Sequence, residues 1–402
     1  MTNSSPEALR SGERLVSLDV FRGATIAAMI LVNNPGTWGA IYPPLRHAPW
    51  HGWTITDLVF PFFLFIVGVS IVLAFTKALA RGAQNSELVR KTFIRSVIIF
   101  GMGLLMASYP YFTFLPEHMR IVLIDSFFGL HKNLVEVRIP GVLQRIALCY
   151  LAASLLFLYL KPAALVKTIA GILLFYWAVM MLVPVPGFGA GMINESHTTF
   201  SAWFDQLIFA DVHLYRNGPY DPEGLFSTIP AIGTTLLGVM TGLILMSDRD
   251  PMEKTARFLL WGLLLATIGY VWSWFFPINK PIWSSSYAIL TAGLAMQVFG
   301  ACYWLVDIKG YRRFTRPFMV YGVNALTVFF MSGIVARTIN LIQIPSADAA
   351  SGYISLQRYI FSTVFQPLAS DLNASLMYAI VWIVLWYFIL SYMYTRKIFV
   401  KV

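Results

Sequence analysis

The stretch LVFPFFLFIVGVSIVLAF, residues 58–75, runs for eighteen residues without a charge. A helix needs about 20 mostly apolar residues to cross the hydrocarbon core of a bilayer. Comparable stretches recur at 96–116, 139–160, 168–183, 224–247, 258–276, 281–306, 317–336 and 372–395. A shorter one, 23–33, extends back through 15–18 past Asp19 and Arg22. These stretches predict an all-α fold, a polytopic integral membrane bundle of about ten transmembrane helices. The composition agrees, because the 402 residues are 58% hydrophobic and only 12% charged, against about 25% charged in a soluble domain. A water-soluble enzyme, a disordered chain and a coiled coil are excluded, and the lipid bilayer is the first partner implied.

The chain carries 29 Lys and Arg against 19 Asp and Glu, a net charge of +10. The connections between spans alternate in charge. The N-terminal segment, 77–95, 161–167, 249–257, 309–316 and the C-terminal tail hold 20 basic residues, and the opposite connections hold 7. Cytoplasmic loops carry the Lys/Arg excess, so both termini are predicted to be cytoplasmic. The charge is then topology and implies no nucleic-acid partner. The whole of 1–402 reads as a single transmembrane domain. It comprises a cytoplasmic segment 1–22, outer loops 34–56 and 184–223, and a cytoplasmic tail 396–402. The first apolar run has no basic region before it and no A-x-A site after it, so it reads as a retained helix rather than a signal peptide. Cys149 and Cys302 lie in apolar runs and supply neither a disulfide framework nor a zinc set.

All six histidines fall on the outer side: His47, His51, His118, His131, His197 and His213. Eleven of the carboxylates fall there or at its boundary. Loops tolerate polar residues, and that suffices for His118, His131, His197 and His213. His47 and His51 differ in their surroundings. They lie in NNPGTWGAIYPPLRHAPWHGWTITDLVFP, residues 33–61, with four prolines before Asp57 and with Trp38, Trp50 and Trp53 at headgroup level. Irregular backbone near membrane depth is tolerated only inside protein or against a water-filled cavity. The connection therefore either folds back into the bundle mouth or forms an ordinary interfacial aromatic loop, and residue types alone allow both.

Inside the spans, Arg145 is the charge that asks for a reason, because a buried charge at membrane depth is usually paired or functional. Asp19 and Arg22 are three apart and can pair on one helix face. Asp57 opens its helix and suits an N-cap. Asn324 suits an interhelical hydrogen bond. No GxSxG, GxxxxGK, HExxH or GxGxxG occurs, and no cluster has the spacing that names a metal.

The motifs RLVSLDVFRG (14–23) and HAPWHGWTITDLVFPFFLFIVGVS (47–70) resemble the heparan-α-glucosaminide N-acetyltransferase family, including its bacterial NagX-type transmembrane members. IPGVLQRIALCYL (139–151), YDPEGLFSTIPA (220–231), INKPIWSSSY (278–287) and YGVNAL (321–326) extend the resemblance in the same order over nearly the whole chain. The lysosomal member of that family moves acetyl from cytosolic acetyl-CoA to the amine of a terminal glucosamine across the membrane. The resemblance implies His47 and Asn33 as catalytic residues, acetyl-CoA as co-substrate, an amino-sugar acceptor, a homodimer and, for a NagX-type protein, the bacterial inner membrane. The 33–47 interval is longer than in the lysosomal member, His51 replaces its asparagine, and its luminal N-terminal domain has no counterpart here.

An amine must be neutral to attack a thioester. His47 is placed to take its proton or to carry the acetyl group itself, and Asn33 to hydrogen-bond the thioester carbonyl. Arg22, Gln144 and Arg145 are expected on the acetyl-CoA path, with Arg14, Lys77, Arg81, Arg312 and Arg313 also available to its phosphates. His51, Asp57, Asp221, Glu223, Asn279, Lys280 and Trp283 are expected around the acceptor. Two rival classes stand beside this reading: an O-acyltransferase of surface polysaccharide, and a sugar transporter without acyl transfer.

Overall fold

A computed structural model describes residues 15–115, 120–123, 136–347, 349–350 and 352–400. His118, His131 and Arg14 lie outside the described residues. The apolar stretches fold as α1 (Val16–Asn33), α2 (Ile55–Leu79), α3 (Asn85–Ser108), α4 (Val142–Tyr159) and α5 (Pro162–Leu182). A short amphipathic α6 (Phe200–Ile208) precedes α7 (Leu225–Leu245), α8 (Pro251–Trp272) and α9 (Ser285–Cys302), which a π turn prolongs through Tyr303–Ile308. Then follow α10 (Arg316–Val323), α11 (Ala325–Leu341), α12 (Leu356–Ile360) and α13 (Asp371–Thr395). Two small antiparallel hairpins, β1–β2 (Phe112–Leu115 with Arg120–Leu123) and β3–β4 (Gln343–Pro345 with Tyr353–Ser355), are the strands among the described residues.

Among the described residues, eight helices are long and apolar enough to cross a membrane, and α10 with α11 makes a ninth if the pair counts as one span. That pair is bent by 81° at Asn324, where 317–336 had read as one continuous helix. The tenth expected span is α3. It is helical but starts at Asn85 and so takes in Glu87, Arg90, Lys91 and Arg95. Those charges keep it below the apolarity of the others. α1 likewise runs through Asp19 and Arg22, which pair at 3.1 Å.

The helices α2 and α7 form the centre, each with 67% of its most apolar window buried, while α8 is at 22% and presents Leu260, Leu263 and Leu264 outward. A helix that is apolar on every side is expected only where protein or lipid covers every side. The central pair packs closely because Gly68 faces the Thr235 carbonyl and Gly238 faces the Phe65 carbonyl. Any side chain at either glycine would push these backbones apart, and small residues are how helices approach in lipid.

The helix directions place the connections 34–54, 183–224 and 273–284 at one end of the bundle, where they hydrogen-bond to one another. The opposite end gathers Lys77, Arg95, Arg312, Arg313 and Arg316.

Candidate functional site

The connection before α2 folds onto the bundle mouth and does not float as a loop. The Gly52 amide donates to the Ile278 carbonyl at 2.7 Å, and the Trp50 indole donates to the Ile193 carbonyl at 2.8 Å. Trp50 is thus a peg between connections and not a headgroup anchor. Trp38 and Trp53 stay exposed.

At the start of α2, Thr54 and Asp57 make a reciprocal cap. Thr54 holds the N-cap position, and the Asp57 carboxylate accepts the Thr54 amide at 3.0 Å. Asp57 is therefore the third helical residue and not the N-cap, the T-x-x-D form of a capping box. The same carboxylate oxygen accepts the Ala48 amide at 3.0 Å. Its other oxygen lies 2.6 Å from His47 Nδ1. The Asp57 backbone is fixed as well. Pro61 has no N–H to give the carbonyl four residues earlier, and the buried Tyr287 hydroxyl donates to that Asp57 carbonyl at 2.5 Å.

Lys280 completes the cluster. Its ammonium is 3.4 Å from the Asp57 carboxylate and 3.1 Å from His47 Nδ1. An ionised carboxylate only accepts. With His47 Nδ1–H donating to Asp57, Lys280 donates to the same carboxylate, and its 3.1 Å approach to Nδ1 is then a contact between two donors and not a hydrogen bond. His47 Nε2 is then a free acceptor. The His47 side chain is 47% exposed and that of Asp57 1%, so the histidine faces the mouth on a buried support. Burial pushes the Lys280 ammonium below its ordinary pKa, and Asp57 and Glu223 counter part of that.

The turn carrying Lys280 is rigid. Ser284 Oγ accepts the Asn279 amide at 3.0 Å, Asn279 Oδ1 accepts the Ile282 amide at 3.0 Å, and the Trp283 amide reaches the Lys280 carbonyl at 2.9 Å. Trp283 sits at φ 48°, a conformation that a bulky residue holds only when its surroundings fix it. Its indole N–H donates to Thr234 Oγ1 at 3.1 Å, and its ring meets Phe60 and Tyr287 edge-on, each at 5.2 Å. Trp283 is fully buried, so it supports the site from below and offers no face to a sugar. His51 lies against Asn194 at 3.1 Å and Asn279 at 3.4 Å.

A second charged group lies alongside. Arg138 donates from Nε and Nη2 to the two oxygens of Asp221 at 2.8 and 2.5 Å, and Nη2 also reaches Glu223 at 2.6 Å. Burial works against the Glu223 carboxylate, and Arg138, Arg145 and Lys280 together outweigh it, leaving its pKa below the ordinary range. Asp205, on α6, accepts the Phe226 amide at 3.1 Å at the start of α7. Burial raises its pKa to about 7. Arg145 stands in the first turn of α4, wholly buried. Its guanidinium lies 5.1 Å over the Trp283 ring and donates from Nη2 to Ser227 Oγ and to the Gly224 carbonyl. Its Nε and Nη1 have no partner among the described residues.

A cavity of about 670 Å3 opens from the basic end between α1, α2, α3, α4 and the α10–α11 bend. Arg22, Ser70, Lys77, Arg95, Tyr150 and Asn324 line its polar side. Arg22 donates to Ser70 Oγ at 2.8 Å, and Arg95 lies 5.2 Å over the Tyr150 ring. Its inner end reaches Phe63 and Ile146. Phe63 is six residues beyond Asp57 on α2, about 9 Å of helix. Arg145 and Gln144 do not line it, although Ile146 beside them does.

The structure thus joins His47, Asp57 and Lys280, with His51 and Asn279 beside them. Asp221, Glu223 and Arg145 form the neighbouring charged layer. Asn33 stands apart, exposed at the end of α1, on a second cleft of about 780 Å3 at the same end of the bundle. His213 bonds the Val137 carbonyl at 2.8 Å and His197 pairs with Glu195 at 3.4 Å, both away from the cluster. Arg138, Asp205 and Tyr287 were missed by sequence reading. Of these only Tyr287 had a local signal, through the lone carbonyl that Pro61 leaves. Among the described residues no group of three or more His, Cys, Asp or Glu could hold a metal ion.

Two curated proteins are similar to this chain in sequence. The heparan-alpha-glucosaminide N-acetyltransferase of Mus musculus is 31% identical over 377 residues, covering 81% of this chain and 54% of the relative. That of Homo sapiens is 30% identical over 368 residues, covering 79% and 52%. The chain spans about half the length of these curated relatives. The model of the catalytic region of heparan-alpha-glucosaminide N-acetyltransferase matches residues 14–281, from the start of α1 through the turn that carries Lys280. With two thirds of its length matched, including His47, Asp57, Arg145 and Lys280, the chain belongs to the heparan-alpha-glucosaminide N-acetyltransferase catalytic family.

Proposed function

We propose that this protein is a transmembrane N-acetyltransferase. It moves acetyl from cytosolic acetyl-CoA to the amine of a glucosamine or terminal glucosaminide on the opposite side. The observation that carries this reading is the alignment of two features. The cavity lined by Arg22, Lys77 and Arg95 ends about one and a half helical turns beneath a buried-carboxylate histidine that faces the other end. Arg and Lys suit the phosphates of the donor, and the cavity has the size of ordinary ligand pockets, about 300–1,000 Å3.

In this mechanism Asp57 holds His47 in the tautomer with Nδ1 protonated. Nε2 takes a proton from the acceptor ammonium or from the attacking amine. The amine nitrogen bonds to the thioester carbonyl carbon, the C–S bond breaks, and the CoA thiolate leaves with its electron pair. Lys280 balances the charge of the Asp57 carboxylate. Arg145 lies beneath the site, off the donor cavity as Gln144 does, and holds the start of α7 through Ser227 and the Gly224 carbonyl, and a role for Asn33 as a donor to the acyl oxygen rests on the family resemblance. His51 and Asn279 flank His47 where an amino sugar would enter. Asp221 and Glu223 act through Arg138, shaping the rim. A homodimer and a bacterial inner-membrane location rest on the same resemblance.

The test is reconstitution in proteoliposomes, with acetyl-CoA on the side of the basic end and glucosamine on the other. Acetylglucosamine should form, and His47→Ala should lower turnover by at least about 10²-fold while acetyl-CoA binding persists. Sugar movement without CoA release would make the protein a transporter, and an O-acetyl product would make it the polysaccharide type. A single-turnover experiment with radiolabelled acetyl-CoA and no acceptor separates direct transfer, which leaves the protein unlabelled, from an acetyl-His47 intermediate.

A further inference from the structure

Arg145 is only 1% exposed and forms no ion pair among the described residues. A buried charge is costly unless its surroundings hold it. Glu223, Asp221 and Asp205 act on it through space without touching it. Nη2 is satisfied by Ser227 Oγ and the Gly224 carbonyl, and Nε and Nη1 find no hydrogen-bond partner. The guanidinium instead lies over the Trp283 indole, 5.1 Å from the ring centre. A cation over an indole is the strongest pairing of this kind, and it strengthens where water is excluded. A planar guanidinium stacks on such a ring, and an ammonium does not.

Trp283 is in turn the side-chain anchor of the turn that carries Lys280. Its φ of 48° is held only because its surroundings fix it. Thr234 on α7 takes the indole N–H, and Phe60 on α2 and Tyr287 on α9 close on the ring. Within the turn, the Trp283 and Ser284 amides reach the carbonyls of Lys280 and Asn279 at 2.9 and 3.0 Å, and the Ile282 amide reaches Asn279 Oδ1 at 3.0 Å. Residues 279–284 therefore move as one piece, and the place of the indole sets the place of the Lys280 stem. The ammonium has little latitude, at 3.4 Å from the Asp57 carboxylate. A displacement of about 1 Å in a catalytic assembly can cost about 10²-fold in rate.

We propose that Arg145 is a positioning residue for acetyl transfer, stacking on Trp283 and, through the turn that Trp283 anchors, setting the Lys280 ammonium against Asp57. The proposal rests on the acetyl-transfer reading for what Lys280 and Asp57 accomplish. The alternative is a staple, in which Arg145 only ties α4 to the start of α7.

The first test needs no turnover. Hydrogen exchange followed by mass spectrometry on the full detergent-solubilised chain compares the parent with Arg145→Lys, which keeps the charge and loses the stack. Exchange of the Ile282, Trp283 and Ser284 amides should speed up at least about ten-fold. Faster exchange only at the start of α7 would make Arg145 a staple and overturn the proposal. Kinetics in proteoliposomes give the second test. Arg145→Lys should lower kcat by about 10- to 100-fold, with the KM for acetyl-CoA within about two-fold. In a Lys280→Met chain the same change should lower the remaining kcat by less than about two-fold, because the group it acts through is gone. An equal loss in both backgrounds, or a raised donor KM, would overturn the proposal. Trp283→Phe keeps a ring for Arg145 and loses the bond to Thr234. It attacks the same link from the other side and should repeat the pattern, so the proposal stays testable if Arg145→Lys does not fold. A parent chain that transfers no acetyl overturns the transfer reading, and the exchange result still decides whether Arg145 holds the turn.

Discussion

The two ends of the bundle treat charge in opposite ways. At the His47 end, charged groups are paired and braced. Asp57 is fixed by two backbone amides, His47 and Lys280, and Arg138 by both Asp221 and Glu223. At the basic end, Arg22, Lys77 and Arg95 surround open volume. Proton transfer demands a histidine held within narrow geometry, and a long phosphate-bearing donor demands room and positive potential. The contrast teaches that the ends answer different chemical needs, so substitutions at each should fail in different ways.

The largest effect should come from Asp57→Asn. It preserves shape but removes the charge that selects the His47 tautomer. The kcat should fall by about 10²–10⁴-fold, with little change in the KM for acetyl-CoA, as steady-state kinetics would show. A variant that instead raised the donor KM would erase the proposed division of labour. Next comes the other end. Arg95→Gln should raise the KM for acetyl-CoA by about ten-fold, the weight of one charge-assisted contact, and leave kcat nearly intact. Equal losses in both parameters would break the comparison.

A smaller effect is expected from Tyr287→Phe. It strands the Asp57 carbonyl that Pro61 cannot satisfy, at a cost of about 1–3 kcal/mol. A lowered Tm in thermal unfolding checks it. The smallest is a pH effect at Asp205. Its pKa is raised from 3.8 to about 7, so the folded protein binds this proton more tightly than the unfolded chain. The associated stability is full below about pH 4 and is lost as pH rises toward about 7. Asp205→Asn should flatten the Tm profile between about pH 5 and 7.5. An unchanged slope would show that the group is not the source.

Much of this contrast was legible in the residues. Residues 58–75 could be nothing but a buried or lipid-covered helix, and each of the ten apolar stretches contains a helix, although 96–116 leaves the helix after Ser108 and runs into strand β1, Phe112–Leu115. Boundaries slipped where polar residues continue a helix past its apolar part, as α3 does from Asn85 and α1 does through Asp19 and Arg22. The break at Asn324 was hidden because its neighbours are apolar on both sides. Within the site, His47, Asp57 and Lys280 were each singled out, but as catalyst, cap and acceptor contact. Their union depends on bringing residue 280 to residue 47, which no local pattern encodes. The pairing of Arg138 with Asp221, 83 positions apart, was invisible for the same reason. Trp283 was expected against a sugar because tryptophan often stacks there. Its left-handed backbone and the indole bond to Thr234 turn it inward.

The bend between α10 and α11 carries one practical consequence. Asn324 donates to the Ile398 carbonyl at 3.2 Å and accepts the Val400 amide at 3.1 Å, stitching the tail to the bend. Val400 also borders the large basic cavity. Anything fused beyond it, such as an affinity tag or a fluorescent reporter, would hang at that doorway and compete for it. A cleavable fusion, assayed before and after removal, would report how wide the doorway stands.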